Sequence, residues 1–219
     1  MLIRPSLEDA GIIAAEGKYA FLPVAAEILS DVRTPIEVLR ILKNVSGHCY
    51  LLESVTDHEQ WGRWTFLGYD PKLEITCLDG KMKIGDLRLE TKDPEQYIRQ
   101  ILEEYKSPKL PGMPPFTGGL VGYFAYDYFQ YAEPSLRFRS KNEHGFRDVD
   151  LMLFDKVIAF DNLRQRIILI ANLLVENADS LEAPYNKAVQ TIAQMEETIL
   201  RGARKPLVPG RLLSEVRPR

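Results

Sequence analysis

The chain has 219 residues, 45% of them apolar, and a formal net charge of −3. This length and composition fit one large domain, or one domain with extensions, built around a substantial core. The longest apolar runs fall far short of the roughly 20 residues that cross a bilayer, and no apolar signal core follows the amino terminus. We therefore expect a cytoplasmic protein with no membrane partner.

The basic residues are concentrated at the carboxy-terminal end. Residues 201–219 carry six Lys or Arg and one acid, Glu215. A basic tail can bind nucleic acid, but this one is short, contains three prolines and lacks the aromatic residues that stack on bases. We therefore predict a domain over residues 1–200, followed by a linker or truncated end over 201–219, and we expect no nucleic-acid partner.

The first half of the sequence predicts two helices followed by strands. Ser6 and Gly17 can cap the two ends of a helix over residues 7–16. Pro35 begins a second helix, which Ser46-Gly47 ends. Helical spacing within it is given by Ile36, Leu39, Leu42 and Lys43. The short apolar segments that follow are typical of buried strands. They cover residues 48–54, 64–69 and 73–78.

Asp79-Gly80 carries the strongest hairpin signal, because glycine readily adopts the positive φ that a two-residue turn requires. Residues 94–105 have the spacing of an amphipathic helix. Its predicted inward residues are Tyr97, Ile98, Ile101, Leu102 and Tyr105. We predict a loop over 107–118, a strand over 119–125 and irregular structure over 126–145.

The last third predicts a second hairpin and a closing helix. Two long strands cover residues 150–160 and 166–173, joined by a turn at 161–164, and a helix covers 184–200. Hairpins and helices are mixed without strict alternation, which favours an α+β fold of antiparallel sheets covered by helices.

Residue patterns alone predict neither a catalytic centre nor a metal site. The three histidines are scattered, and Cys49 and Cys77 lie in separate strand-like segments without metal-ligand spacing. The glycine-rich segment 118–122 lacks the Gly-x-Gly-x-x-Gly spacing and the Gly-Lys-Ser/Thr sequence of phosphate loops. Its glycines are better explained by a strand that passes close to another backbone.

One group of residues could form a ligand site. Glu53 and Ser54 end an apolar strand, and Arg63 follows a polar loop. Aromatic residues lie in the same region: Trp61, Trp64 and Phe66. A carboxylate, a hydroxyl, a guanidinium and aromatic surface suit a zwitterion with an aromatic body. Taken alone, the same residues are better explained as an ordinary strand end with a surface ion pair.

Several segments occur in an order that is more specific than any one of them. They are Leu51–Ser54 (LLES), Gly62–Pro71 (GRWTFLGYDP), Phe116–Asp127 (FTGGLVGYFAYD), and Asp150 with Phe154-Asp155 and Phe160-Asp161. In this order they resemble the amino-terminal region of the anthranilate synthase component I family. The resemblance covers nearly the whole chain.

The resemblance implies the amino-terminal regulatory domain of an enzyme that converts chorismate and ammonia into anthranilate and pyruvate in tryptophan biosynthesis. In this family a glutamine amidotransferase subunit, component II, supplies the ammonia. The chorismate site and the residues that bind Mg²⁺ lie in a carboxy-terminal chorismate-binding domain. The resemblance therefore implies no catalytic residue and no metal or cofactor site in this chain.

The same resemblance implies a feedback site for L-tryptophan beside the LLES segment. Matched by position, its residues are Leu52, Glu53, Ser54 and Arg63. Asp127 and the glycine run belong to the family signature, and we assign them an architectural role. Component I of aminodeoxychorismate synthase, in the folate pathway, is the closest alternative, and Glu53 in place of an aspartate favours the anthranilate enzyme. A free-standing amino-acid-binding module is an alternative of another class.

Overall fold

The computed structural model describes residues 2–53, 62–133, 135, 142, 144–175, 180–204 and 206. Five α-helices lie within these ranges: α1 (Leu7–Ala15), α2 (Pro35–Val45), α3 (Pro94–Glu104), α4 (Phe129–Ala132) and α5 (Glu182–Arg201). The strands of the same ranges are β1 (Ile3–Arg4), β2 (Phe21–Leu29), β3 (Cys49–Glu53), β4 (Trp64–Tyr69), β5 (Leu73–Leu78), β6 (Lys81–Ile84), β7 (Leu87–Glu90), β8 (Gly119–Phe124), β9 (Val149–Phe154), β10 (Lys156–Asp161) and β11 (Arg166–Leu174). None of the described helices has the length and apolar character needed to span a membrane.

The described strands form two sheets. The six-stranded sheet has the order β1-β2-β11-β10-β4-β3, and the five-stranded sheet has the order β7-β6-β5-β9-β8. Every strand pairing is antiparallel. These sheets and their covering helices confirm the predicted α+β fold. Most of the predicted tail over residues 201–219 lies outside the described residues.

Helices cover one face of each sheet. Residues of α1, α2 and α5 pack on the inner face of the six-stranded sheet, where Leu22, Leu169 and Ile192 are fully buried. Residues of α3 pack on the five-stranded sheet around Ile75 and Ile98. The outer face of the six-stranded sheet carries a smaller apolar cluster, partly covered by the loop 107–118. Leu52, one of the predicted site residues, lies on this outer face opposite Phe66.

The sequence signals for local turns and caps are confirmed. The Ser6 hydroxyl oxygen accepts a hydrogen bond of 3.1 Å from the Asp9 backbone N–H at the start of α1. Asp79 and Gly80 have φ values of 51° and 75° and join β5 to β6. Both signals depend on the conformation of adjacent residues, which explains why they are readable from sequence.

The prediction of one long strand over residues 150–160 is wrong. This segment forms β9 and β10, which lie in different sheets and are separated by Asp155. The apolar run continues through the break because both halves are buried. The chain thus crosses from one sheet to the other at Asp155. It makes a second crossing beside the first between β4 and β5, since β4 pairs with β10 and β5 pairs with β9.

Several elements were missed, among them β1, β2, β7 and α4, and one inward face was partly wrong. The central strand β2 contains Pro23. The short strand β1 pairs only with Ala25 and Ala26 of β2, so the sheet edge beside Pro23 is open and the proline is tolerated there. The segment 126–145, predicted as irregular, contains a 3₁₀ turn and α4. Leu102, predicted to face inward, is 50% exposed, because α3 buries Ile98 and Ile101 instead.

Candidate functional site

The predicted site lies at one end of the six-stranded sheet, where β3 ends and β4 begins. β3 is the last strand of this sheet as described. Leu52 lies opposite Phe66, and Glu53 lies opposite Thr65. Ser54 and Trp61, which belong to the same prediction, lie outside the described residues. The sheet register therefore places Leu52, Glu53 and the start of β4 side by side.

An aromatic surface runs along the outer face at this end. Leu52 is 47% exposed and shares this face with Phe66, its cross-strand partner. The ring of Phe66 stacks on the ring of Trp64, with centroids 6.1 Å apart and planes 18° apart. Phe116 meets Phe66 edge-on at 5.7 Å. The result is a cluster of packed aromatic rings beside the exposed Leu52 side chain.

Glu53 belongs to the opposite face of the strand. Side chains alternate along a strand, so Glu53 points to the same side as Leu51, which packs in the helix-covered core. The Glu53 side chain is nevertheless exposed, because it stands at the end of the strand. The structure thus brings Leu52 together with the aromatic surface, and it places Glu53 at the same end of the sheet on its other side.

Arg63 is fixed by two kinds of contact. Its Nε donates to Asp161 Oδ1 at 3.0 Å, and its Nη2 donates to Asp161 Oδ2 at 2.5 Å. The guanidinium carbon also lies 4.6 Å from the centroid of the Trp64 ring, a cation–π distance. The predicted basic residue therefore lies beside the aromatic surface, with its charge paired to a carboxylate.

Asp161 is almost completely buried, with 2% of its surface exposed. Burial opposes ionisation, but hydrogen bonds from the Arg63 guanidinium and the Arg164 backbone N–H outweigh it and hold the pKa of Asp161 below its usual value. Asp161 is therefore an ionised carboxylate at neutral pH. Its two oxygens are occupied by these donors.

Asp161 and Asn162 are the residues that sequence reasoning missed. The Asn162 backbone N–H donates to the Arg63 carbonyl oxygen at 2.8 Å. Its side-chain amide donates to the Gly62 carbonyl oxygen at 3.2 Å and to Thr65 Oγ1 at 3.3 Å. Asp161 was recognised only as a turn residue and part of the family signature. Because 98 positions separate it from Arg63, no local pattern could have joined the two.

Other features of the fold lie away from this end. A cleft of about 820 Å³ is located at the opposite end of β4, and Tyr69, Lys156 and Lys187 are among the residues that line it. Within the described ranges, no group of three or more His, Cys, Asp or Glu residues is arranged to hold a metal ion.

Comparison with known proteins gives sequence relatives over most of the chain. It is 33% identical over 203 residues to anthranilate synthase component 1 of Acetivibrio thermocellus, a match that covers 91% of this chain and 40% of the relative. It is 34% identical over 207 residues to anthranilate synthase component 1 of Pseudomonas aeruginosa, with the same two shares, 91% and 40%. The chain thus spans about 40% of the length of these curated relatives.

A solved structure and a family profile also match. Anthranilate synthase component I from Streptococcus pneumoniae TIGR4 superposes with a TM-score of 0.48 at 24% identity, covering 77% of this chain and 36% of that one. The sequence profile of a family described as chorismate binding enzyme matches residues 47–211. With the sequence relatives, this profile match confirms the predicted resemblance. The chain therefore belongs to the chorismate binding enzyme family.

Proposed function

We propose that this chain is the tryptophan-sensing, regulatory part of a protein of the anthranilate synthase component I kind. The complete protein would convert chorismate and ammonia into anthranilate and pyruvate with Mg²⁺. A glutamine amidotransferase subunit, component II, would supply the ammonia. Relatives named anthranilate synthase component 1, matched over 91% of this chain, support this proposal.

The observation that carries the proposal is the aromatic surface at the end of β3 and β4. An indole ring is flat and apolar, and it would pack against the partly exposed Trp64 and Phe66 rings beside Leu52. The amino-acid head group would then lie at the strand ends, near the Arg63 guanidinium. An aromatic amino acid is the ligand class that such a combination suits.

Glu53 takes part from the other side of the strand. Because β3 is the last strand of the described sheet, its outer edge separates the two faces without a further strand between them. In this proposal the exposed Glu53 carboxylate reaches the ligand ammonium around that edge, and Ser54 completes the head-group contacts. Leu52, Glu53, Ser54 and Arg63 are then the ligand-binding residues.

Binding of L-tryptophan to the chain tests the proposal. We expect calorimetry to detect binding and the unfolding temperature to rise, since a ligand at 100 times its Kd stabilises the folded state by about 2.7 kcal/mol. Glu53→Gln should weaken binding roughly tenfold or more, because it removes a charged hydrogen-bond partner. Glu90→Gln is the matched control, since Glu90 is an exposed carboxylate at the end of the edge strand β7.

Three outcomes would contradict these expectations separately. A wild-type chain that neither binds L-tryptophan nor gains stability from it would refute tryptophan sensing by this chain. Wild-type affinity in Glu53→Gln would leave the site standing and remove Glu53 from it. An equal loss in Glu90→Gln would show that the effect comes from surface charge in general.

A second prediction concerns catalysis. Incubated with chorismate, ammonium and Mg²⁺, the chain alone should form no anthranilate, because the family resemblance places the chorismate site in a separate domain. Anthranilate fluorescence at the level of an enzyme-free blank is the expected result, with a full-length relative as the positive control. Sustained fluorescence increase from the purified chain would show that a reactive centre lies within these residues.

A further inference from the structure

The turn between β10 and β11 clamps the start of β4. Asp161 lies opposite Trp64 in the sheet and binds the Arg63 guanidinium through two hydrogen bonds. Asn162 donates hydrogen bonds to the carbonyl oxygens of Arg63 and Gly62 and to the side-chain oxygen of Thr65. Backbone and side chain of Arg63 are therefore held by one turn from a distant part of the sequence.

This clamp leaves a defined part of the guanidinium for other partners. Nε and Nη2 are used by Asp161, and one face of the group lies over the Trp64 ring. An arginine carries five N–H donors in a rigid plane. The Nη1 donors make no hydrogen bond to the residues that the structure describes, and they lie in the same plane. Their direction is fixed because the plane is fixed.

Asp161 itself is in no position to meet a ligand. Its side chain is 3% exposed, whereas that of Arg63 is 28% exposed. Both carboxylate oxygens already accept hydrogen bonds from Arg63 or from the Arg164 backbone N–H. Any effect of Asp161 on ligand binding must therefore act through Arg63.

We propose that Asp161 is a positioning residue that holds the Arg63 guanidinium over the Trp64 ring, with its remaining N–H donors directed at the carboxylate of the bound amino acid. This inference rests on the proposed tryptophan site. A planar, bidentate clamp restricts the long arginine side chain before the ligand arrives, so less conformational entropy is lost on binding. Arginine and lysine are then not interchangeable at this position.

The test compares two ligands that differ in one group. L-Tryptophan has the carboxylate, and tryptamine lacks it. Calorimetric titration of wild type, Asp161→Asn and Arg63→Lys should show about a tenfold loss of affinity for L-tryptophan in both variants, equivalent to about 1.4 kcal/mol, with little change for tryptamine. Asp70→Asn is the control, since Asp70 pairs with Lys156 at the other end of β4 and should leave both affinities unchanged.

The outcomes separate this inference from the proposed function. A wild-type chain that fails to bind L-tryptophan refutes the proposed function itself. Wild-type binding with an unchanged ratio of the two affinities in folded variants refutes the role of Asp161 alone. An equal loss of both ligands also refutes it, because a general structural defect does not distinguish a carboxylate. If Asp161→Asn does not fold, Arg63→Lys decides, since it keeps the charge and loses the bidentate geometry.

Discussion

Gly122→Ala should lower the free energy of unfolding by more than about 4 kcal/mol, a loss reserved for a few severe mechanisms. A Cβ at this position would overlap the carbonyl oxygen of Asp150 and lie 2.8 Å from the Cα of Leu151. These are backbone atoms of β9, which pairs with β5 on its other side and has no room to move. Urea unfolding followed by circular dichroism measures the loss.

The control is another glycine with the opposite expectation. Gly11 lies inside α1, and a Cβ there would meet no atom within 4 Å. Gly11→Ala should therefore stabilise the chain by about 0.5–1 kcal/mol, because alanine has the higher helix propensity. A Gly122→Ala protein that unfolds at the wild-type urea concentration would show that β8 and β9 are not packed as closely as described.

Asp161→Asn should have the second largest effect, a loss of about 3 kcal/mol, since it leaves the partly buried Arg63 without its carboxylate. The pKa of Asp161 is lowered in the folded state, so the ionised form stabilises the fold. That stabilisation is complete above the unfolded pKa of about 3.9. It disappears as the pH falls through the folded pKa of Asp161.

The pH dependence of unfolding tests whether the ionised form of Asp161 stabilises the fold. The difference in unfolding free energy between wild type and Asp161→Asn should be largest near neutral pH and should shrink below about pH 4. Glu95→Gln is the comparison, because Glu95 forms an exposed ion pair with Arg99 on α3 and should contribute less than about 1 kcal/mol. A constant difference between wild type and Asp161→Asn across the acid range would contradict an ionised Asp161.

Elements defined by local signals were predictable from the sequence. The bounds of β4 and β5 agree with the predicted strands, and the Asp79-Gly80 turn forms as expected. Elements defined by distant partners were not. β2 depends on β11 for its ladder. The break at Asp155 depends on which sheet each half joins, and an apolar run is the same in both sheets.

The candidate site shows the same division. Arg63, Leu52 and the neighbouring aromatic residues could be named from sequence and resemblance. Their geometry could not, because the register of β3 with β4 is what places Leu52 opposite Phe66. The pairing of Arg63 with Asp161 joins residues that lie 98 positions apart. Only the folded sheet brings them together.

The side-by-side crossings of the chain between the two sheets restrict how the molecule can deform. One crossing occurs at Asp155 and the other between Tyr69 and Leu73, and the strands that enter and leave them are paired with each other. The two connections run in opposite directions side by side, so any change in the orientation of one sheet relative to the other would have to move both of them together.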